Sequence, residues 1–430
     1  MPTESTESVE STAADPGAIS APTAPEVTTG RRERALILLG IVVLAFNLRP
    51  AATAVGPVLG DLQDALDVSA TTAGVITTLP VLAFAVFGSL APWCARTLGI
   101  HRVMLVALVL AAVGQFARAE AGSAAVFIAA SVPALAGMAT ANVLLPSLIK
   151  LHFPTQIGRL TAVYTTTLAV GMTIASASTV PLAEAGGSWR FGIAAWGATA
   201  AIAALPWLLL LRHDVRPEER SGHAIGFRDV ARTRVGWLMA LFFGIQSLVA
   251  YAIFGWLAEI FRDAGFSARE AGLLLALTMA LGIPTSLAVP GLATRRESQA
   301  PIVLTLAACS ITGFVGLLAW PYGGAVVWAT LLGIGTGMFP LALVLIALRT
   351  DTADGTAALS GFTQSVGYLI AGIGPFTVGL LYDATGSWTP PLALLAVLVV
   401  PQAAFGLALS RPRTLERELG LRQDPTSSTS

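Results

Sequence analysis

The stretch ALILLGIVVLAFNLRPAATAVGP, residues 35–57, decides how the whole chain is read. At 1.5 Å of rise per residue it is long enough to cross a hydrocarbon core of about 30 Å as a helix. It shows none of the period-two alternation of a barrel strand. In lipid, backbone N–H and C=O groups must be satisfied within the chain, so a run of this kind folds as a helix. One charge, Arg49, interrupts it, and Pro50 follows at once.

The rest of the chain repeats the pattern. Its 430 residues are 55% hydrophobic and 12% charged, well outside the range of soluble domains. Apolar stretches of about 20 residues fall at 35–58, 71–93, 102–119, 124–149, 159–182, 190–211, 235–260, 269–292, 300–319, 324–348, 356–382 and 388–409. These are spans 1 to 12. The expected fold class is therefore an all-α membrane protein of twelve transmembrane helices.

Arg31, Arg32 and Arg34 precede span 1. A signal peptide also opens on basic residues, but this apolar run is too long and more spans follow it. Placing the amino terminus in the cytoplasm puts about 20 of the 25 Lys and Arg residues on that side, Arg49 within a span and four outside. The expectation is a multi-pass protein of the plasma membrane with both termini cytoplasmic.

Residues 1–33 are rich in Ser, Thr, Ala and Pro, and five acidic residues precede any basic one. Such a segment buries too little apolar surface to fold alone and reads as a disordered cytoplasmic tail. Residues 34–211 hold six spans and 235–410 hold six more. Between them, RHDVRPEERSGHAIGFRDVARTR (212–234) reads as a solvated, partly helical cytoplasmic linker, and 411–430 as a second tail. The halves resemble each other. GMATANVLLP at Gly137 aligns with GIGTGMFPLA at Gly333, and AVGMTIA around Gly171 with SVGYLIA around Gly367, both at a separation of about 196 residues. GGSWR at Gly186 and TGSWT at Thr385 follow at nearly that offset. Two six-span repeats suit a transporter that rocks one bundle against the other around a central site.

Arg49 lies about 14 residues into span 1, near the bilayer midplane, where an arginine costs about 2.5 to 3.5 kcal/mol on insertion scales. No Asp or Glu falls at matching depth in another span. Carbonyls, hydroxyls, water or an anionic ligand are left to compensate it. Pro50 removes an amide donor and disfavours helical geometry at Arg49, so the Phe46 carbonyl loses its usual partner and a local break is expected. On an unbroken helix Arg49, Thr53 and Gly56 share a face while Asn47 points nearly opposite. The break decides whether Asn47 reaches the same cavity. Two readings stand: a guanidinium offering directional donors to a planar or linear anion or a polarised nitro or carbonyl group, and an arginine bonded to helix carbonyls as structural glue.

Other spans add neutral polar groups. Asn142, Pro146 and Lys150 run down one face of span 4, with Lys150, the chain's lone lysine, at the cytoplasmic end as a topology or gate charge. Asn142 either lines a cavity or bonds a neighbouring helix. Tyr164 sits with Thr161 and Thr165 in span 5, and threonines in membrane helices often bond their own backbone. Span 7 offers Gln246, Ser247 and Tyr251, and span 11 offers Gln364 and Tyr368. A tyrosine presents an apolar face and one hydroxyl, which suits a small, weakly hydrated solute; packing is the alternative. Gly374 and Pro375 mark a possible hinge in span 11.

Several classes are excluded. A net charge of zero suggests no nucleic-acid partner, and Cys94 and Cys309 make no disulfide framework. His101, His152, His213 and His223 all fall in or beside cytoplasmic segments, and no span clusters His, Asp, Glu or Cys. Neither an enzyme nor a metal or cofactor site is expected.

Taken together, NLRPAATAVGP in span 1, GVITTLPVLAFAVFG in span 2, NVLLPSLIKLHFP leaving span 4, YAIFGWLAEIFRDAGFSAREAGLLLAL across spans 7 and 8, and LSGFTQSVGYLIAGIGPFTVGLLYDATGSW through span 11 carry a family resemblance. From about Ala35 to Leu409 the chain resembles the cyanate and nitroimidazole transporters of the major facilitator superfamily. The resemblance implies two pseudo-symmetric six-helix bundles, alternating access to a midplane cavity, and a small anion or small polar planar solute as substrate. On that reading Arg49 orients the solute, with Asn47, Tyr251, Gln246, Tyr164, Gln364, Tyr368 and Asn142 as lining. Arg96, Arg102 and Lys150 would act in gating or topology. The lipid bilayer and a small molecule are the implied partners of a monomer.

Two departures bear on the alternatives. The loop GSLAPWCARTLGIHR keeps Gly88, Gly99 and Arg102 but has Arg96 where the superfamily's usual aspartate would stand. The proline and glycine signature of drug/proton antiporters is missing from AVGMTIASAST in span 5. A multidrug efflux antiporter is the less favoured alternative, and a non-transporting sensor on the same fold is the other.

Overall fold

The structure, a computed structural model, describes residues 31–67, 70–211 and 225–421. The expected amino-terminal tail up to residue 30, most of the linker with His213 and His223, and the last nine residues lie outside the described residues. Among the described residues twelve helices are long and apolar enough to cross a membrane: Arg32–Val58, Leu79–Leu98, Ile100–Ala119, Ala124–His152, Pro154–Ala185, Trp189–Leu210, Arg234–Asp263, Glu270–Arg295, Ala300–Ala319, Ala325–Leu348, Ala353–Thr385 and Thr389–Leu409. Spans 1 to 12 keep their numbers here.

Several helices run past their apolar cores because polar side chains hold the first turn. Thr352 caps span 11 by accepting from Gly355 N, Thr233 caps span 7 from Gly236 N, and Ser188 caps span 6 from Arg190 N. Each satisfies a donor that an uncapped helix would leave orphaned. Large apolar side chains such as Leu209, Phe376 and Val397 remain exposed on the outer surface, where lipid tails replace water as their solvent.

Span 1 is broken, as its Arg–Pro pair requires. Its first helix is Arg31–Asn47, a four-residue helix follows at Pro50–Thr53, and a 3-10 turn at Gly56–Val58. Span 7, at the corresponding place in the second half, runs unbroken over Arg234–Asp263. Spans 8 and 10 are also interrupted, at Leu281 and at Thr336–Gly337. Span 11 stays helical through Pro375, whose carbonyl accepts from Trp256 Nε1 at 2.9 Å.

The half-repeat is visible in local geometry. Gly187 and Gly386, the second residues of the two matching turns, adopt left-handed φ values of +67° and +62°. Only glycine holds that conformation without strain, so the shared residue type reflects one turn used twice.

With an even number of spans, both described chain ends lie at one face of the molecule, the terminal face; the other is the far face. The two bundles meet most closely toward the terminal face. Ser365 Oγ donates to Phe84 O at 3.2 Å, joining spans 11 and 2, and Thr165 Oγ1 donates to Ser286 O at 3.3 Å, joining spans 5 and 8. Ser147 Oγ donates to Ala353 O at 2.7 Å, joining spans 4 and 11. The described end of the linker forms a short helix, Phe227–Ala231, whose Phe227 packs 4.9 Å from the Phe362 ring of span 11.

Candidate solute-binding site

Breaking span 1 after Asn47 releases Arg49 from the helix register, and its side chain crosses from the first bundle into the second. Nη2 donates to Tyr368 Oη at 3.4 Å, the long end of a hydrogen bond, and Tyr251 carries the next hydroxyl. The guanidinium carbon lies 5.8 Å from the Phe339 ring centroid. Around Tyr368 stand Phe84 at 4.1 Å, Phe243 at 5.2 Å and Tyr251 at 6.4 Å between ring centroids. Arg49 thus enters an aromatic box built by spans 2, 7, 10 and 11. Ring faces and hydroxyls compensate a cation only in part. No carboxylate pairs with it among the described residues, and most of its five donors point at no protein acceptor.

Tyr164, from span 5, belongs to the same buried cluster as Tyr368. Its side chain is 1% exposed and its hydroxyl has no hydrogen-bond partner among the described residues. A buried hydroxyl left without a partner is costly, and an acceptor on a bound solute would remove that cost. Thr165 bonds the Thr161 carbonyl of its own helix at 2.8 Å, so these threonines contribute little free polarity.

The remaining sequence candidates divide. Asn47 is used up inside the first bundle: Nδ2 donates to Val43 O at 2.9 Å and Oδ1 accepts from Thr199 of span 6 at 2.8 Å. The break therefore leaves Asn47 on the side away from Arg49. Asn142 Nδ2 donates to Gln364 Oε1 at 2.6 Å, a buried amide bridge between bundles, and Gln364 Nε2 donates to Ser360 Oγ at 2.8 Å. Gln246 donates to its neighbour Ser247. Lys150 docks on the end of span 10, donating to Ala347 O at 2.7 Å, to Thr350 Oγ1 at 3.1 Å and to Thr350 O. Arg96 donates to Ile225 O at 2.7 Å at the linker's described end, while Arg102 is exposed at the terminal face.

Sequence reading missed two features. Arg118 drew no role at the sequence level, as a lone cation at the far end of span 3, but its side chain turns inward and is 2% exposed. Phe84, Phe243 and Phe339 looked like ordinary apolar residues of their spans. The shared helix face of Gln115 and Arg118, three residues apart, was the available signal for the first.

Residues 37–375 match the family described as Major Facilitator Superfamily. The chain belongs to the Major Facilitator Superfamily. Among its relatives, the uncharacterized transporter YycB of Bacillus subtilis is 38% identical over 88% of this chain and 94% of that protein. The 2-nitroimidazole transporter of Escherichia coli is 35% identical over 89% and 98%, and the cyanate transport protein CynX of Escherichia coli 27% identical over 85% and 94%. Two superfamily structures share the fold at low identity. The proton:xylose symporter XylE superposes with a TM-score of 0.68 at 14% identity, covering 90% of this chain and 98% of that one. FucP in its outward conformation gives 0.67 at 15%, covering 88% and 98%. This superfamily member is a multi-pass membrane transporter of a small molecule and not an enzyme.

Proposed function

We propose that the chain is a secondary transporter of small anions or small polar planar solutes, cyanate-like or nitroimidazole-like, working by alternating access. It sits in the plasma membrane as a monomer with its terminal face toward the cytoplasm. The observation that carries this reading is Arg49, held by a helix break at the meeting of the two bundles, with donors to spare in an aromatic box. A cyanate ion and a nitro group share compact size, a linear or planar shape and polarised oxygens. A fork of parallel N–H donors recognises that shape, and ring faces cover the remaining apolar surface. The names of the nitroimidazole and cyanate relatives support the same substrate class. Asn142, Gln364 and Lys150 join the bundles between this site and the terminal face, the arrangement an outward-facing state requires.

The test is uptake of labelled cyanate and 2-nitroimidazole into proteoliposomes, with and without a pH gradient. Arg49→Ala should abolish uptake while leaving the protein in the membrane. Arg49→Lys keeps the charge but loses the fork, and should lower uptake by roughly tenfold or more. Full uptake by Arg49→Ala would overturn the assignment; solute binding without flux would turn it toward a sensor.

A further inference from the structure

Among the described residues Arg118, near the far end of span 3, is a deeply buried cation that the central site does not use. Nε donates to Ser131 Oγ at 2.7 Å, and Nη1 to Gln115 Oε1 at 2.7 Å and to Ala51 O at 2.5 Å. The Phe127 ring lies 5.5 Å from the guanidinium carbon. Every one of these partners is neutral. No carboxylate pairs with Arg118 among the described residues, and Nη2 engages no acceptor there. As a staple, Arg118 makes sense: Pro50–Thr53 ends after one turn, and Arg118 takes the Ala51 carbonyl so released. A staple, however, needs neither a spare donor nor open space beside it.

Open space is present. A cavity of about 320 Å³ is bounded by Arg118, Thr53, Gly56, Pro57, Pro80 and Ser176. A Cβ placed on Gly56 would meet nothing within 4 Å. Since one water occupies about 30 Å³ of liquid, the space accepts a small ion with part of its hydration shell. A cation without a counter-ion on the wall of such a cavity attracts an anion.

We propose that this cavity is an outer anion subsite, taking a small monovalent anion on Arg118 before it reaches Arg49. Ala51 and Ala52 of the broken segment line it and follow Arg49 within three residues, so the two guanidinium groups flank one short path along span 1. The order of visits rests on the transport reading above; anion binding at Arg118 does not.

Thiocyanate, a linear monovalent anion, is the probe. Equilibrium dialysis of purified full-length protein should count two bound thiocyanate ions in the wild type. One should remain in Arg118→Gln, one in Arg49→Ala and none in the double variant. Gly56→Leu fills the cavity with the guanidinium in place and should also remove one, so it decides the matter if Arg118→Gln fails to fold. In proteoliposomes Arg118→Gln should raise the KM for cyanate roughly tenfold more than that for neutral 2-nitroimidazole. A single thiocyanate in the wild type, or wild-type counts in both Arg118→Gln and Gly56→Leu, would overturn the outer subsite and leave the Arg49 reading untouched. Arg49→Ala that still transports and binds one ion would do the reverse.

Discussion

At the level of single residues, the site depends on how the break before Arg49 is held. Pro50 leaves the Phe46 carbonyl without its helical donor, and the backbone of Gly171 in span 5 lies directly against it. A Cβ at Gly171 would sit 2.2 Å from that oxygen. Gly171→Ala must therefore push span 5 away from the break, at an overpacking cost of about 1 to 3 kcal/mol. We expect a lower melting temperature in detergent and a loss of uptake, whereas Gly56→Ala, which meets open space, should melt within about 0.5 kcal/mol of the wild type. Arg49 was legible in the sequence because a charge stands out in an aliphatic run. Its aromatic box was not, because Phe84, Phe243 and Phe339 sit in spans where phenylalanine facing lipid is equally ordinary. Arg118 was hidden for the opposite reason. Two residues before Glu120 it resembles an interfacial cation, and only tertiary packing turns it inward.

At the scale of whole elements, the contact that stands out is between the ends of spans 4 and 10. The last carbonyls of a helix are orphaned and carry the negative end of its dipole. Lys150, from the end of span 4 in one bundle, satisfies those of span 10 in the other. The sequence marked Lys150 as a lone lysine at a span end, but the helix end it serves lies 197 residues away. Span existence and order were legible from hydropathy. The interruptions of spans 8 and 10 were not, because apolar residues flank both and no charge flags them. Lys150→Met deletes three bonds between bundles while keeping the stem's bulk. It should shift the population toward separation at the terminal face. With Cys94 and Cys309 replaced by alanine, Ser147→Cys, otherwise 3% exposed, should react with a water-soluble maleimide roughly tenfold faster in the Lys150→Met background. Unchanged labelling would mean that Lys150 does not hold this face shut.

Across the whole molecule, alternating access requires that the contacts closing one face be broken as the other forms. Among the described residues the hydrogen bonds between bundles, apart from that of Arg49, fall in one half: Asn142 with Gln364, Ser147 with Ala353, Ser365 with Phe84, Thr165 with Ser286, and Lys150 with the end of span 10. Arg49 and Tyr368 meet at the upper limit of this seam, so a solute bound between them sits where the two halves part. A covalent link low in the seam should therefore stop turnover without closing the site. In the background with Cys94 and Cys309 replaced, Ser147→Cys with Ala353→Cys should form a disulfide that abolishes uptake into proteoliposomes, and a reductant should restore it. Thiocyanate binding at Arg49 should survive the cross-link, because the path from the far face stays open. Transport that continued with the disulfide intact would show that these spans do not separate during the cycle, and the moving gate would have to lie elsewhere between the bundles.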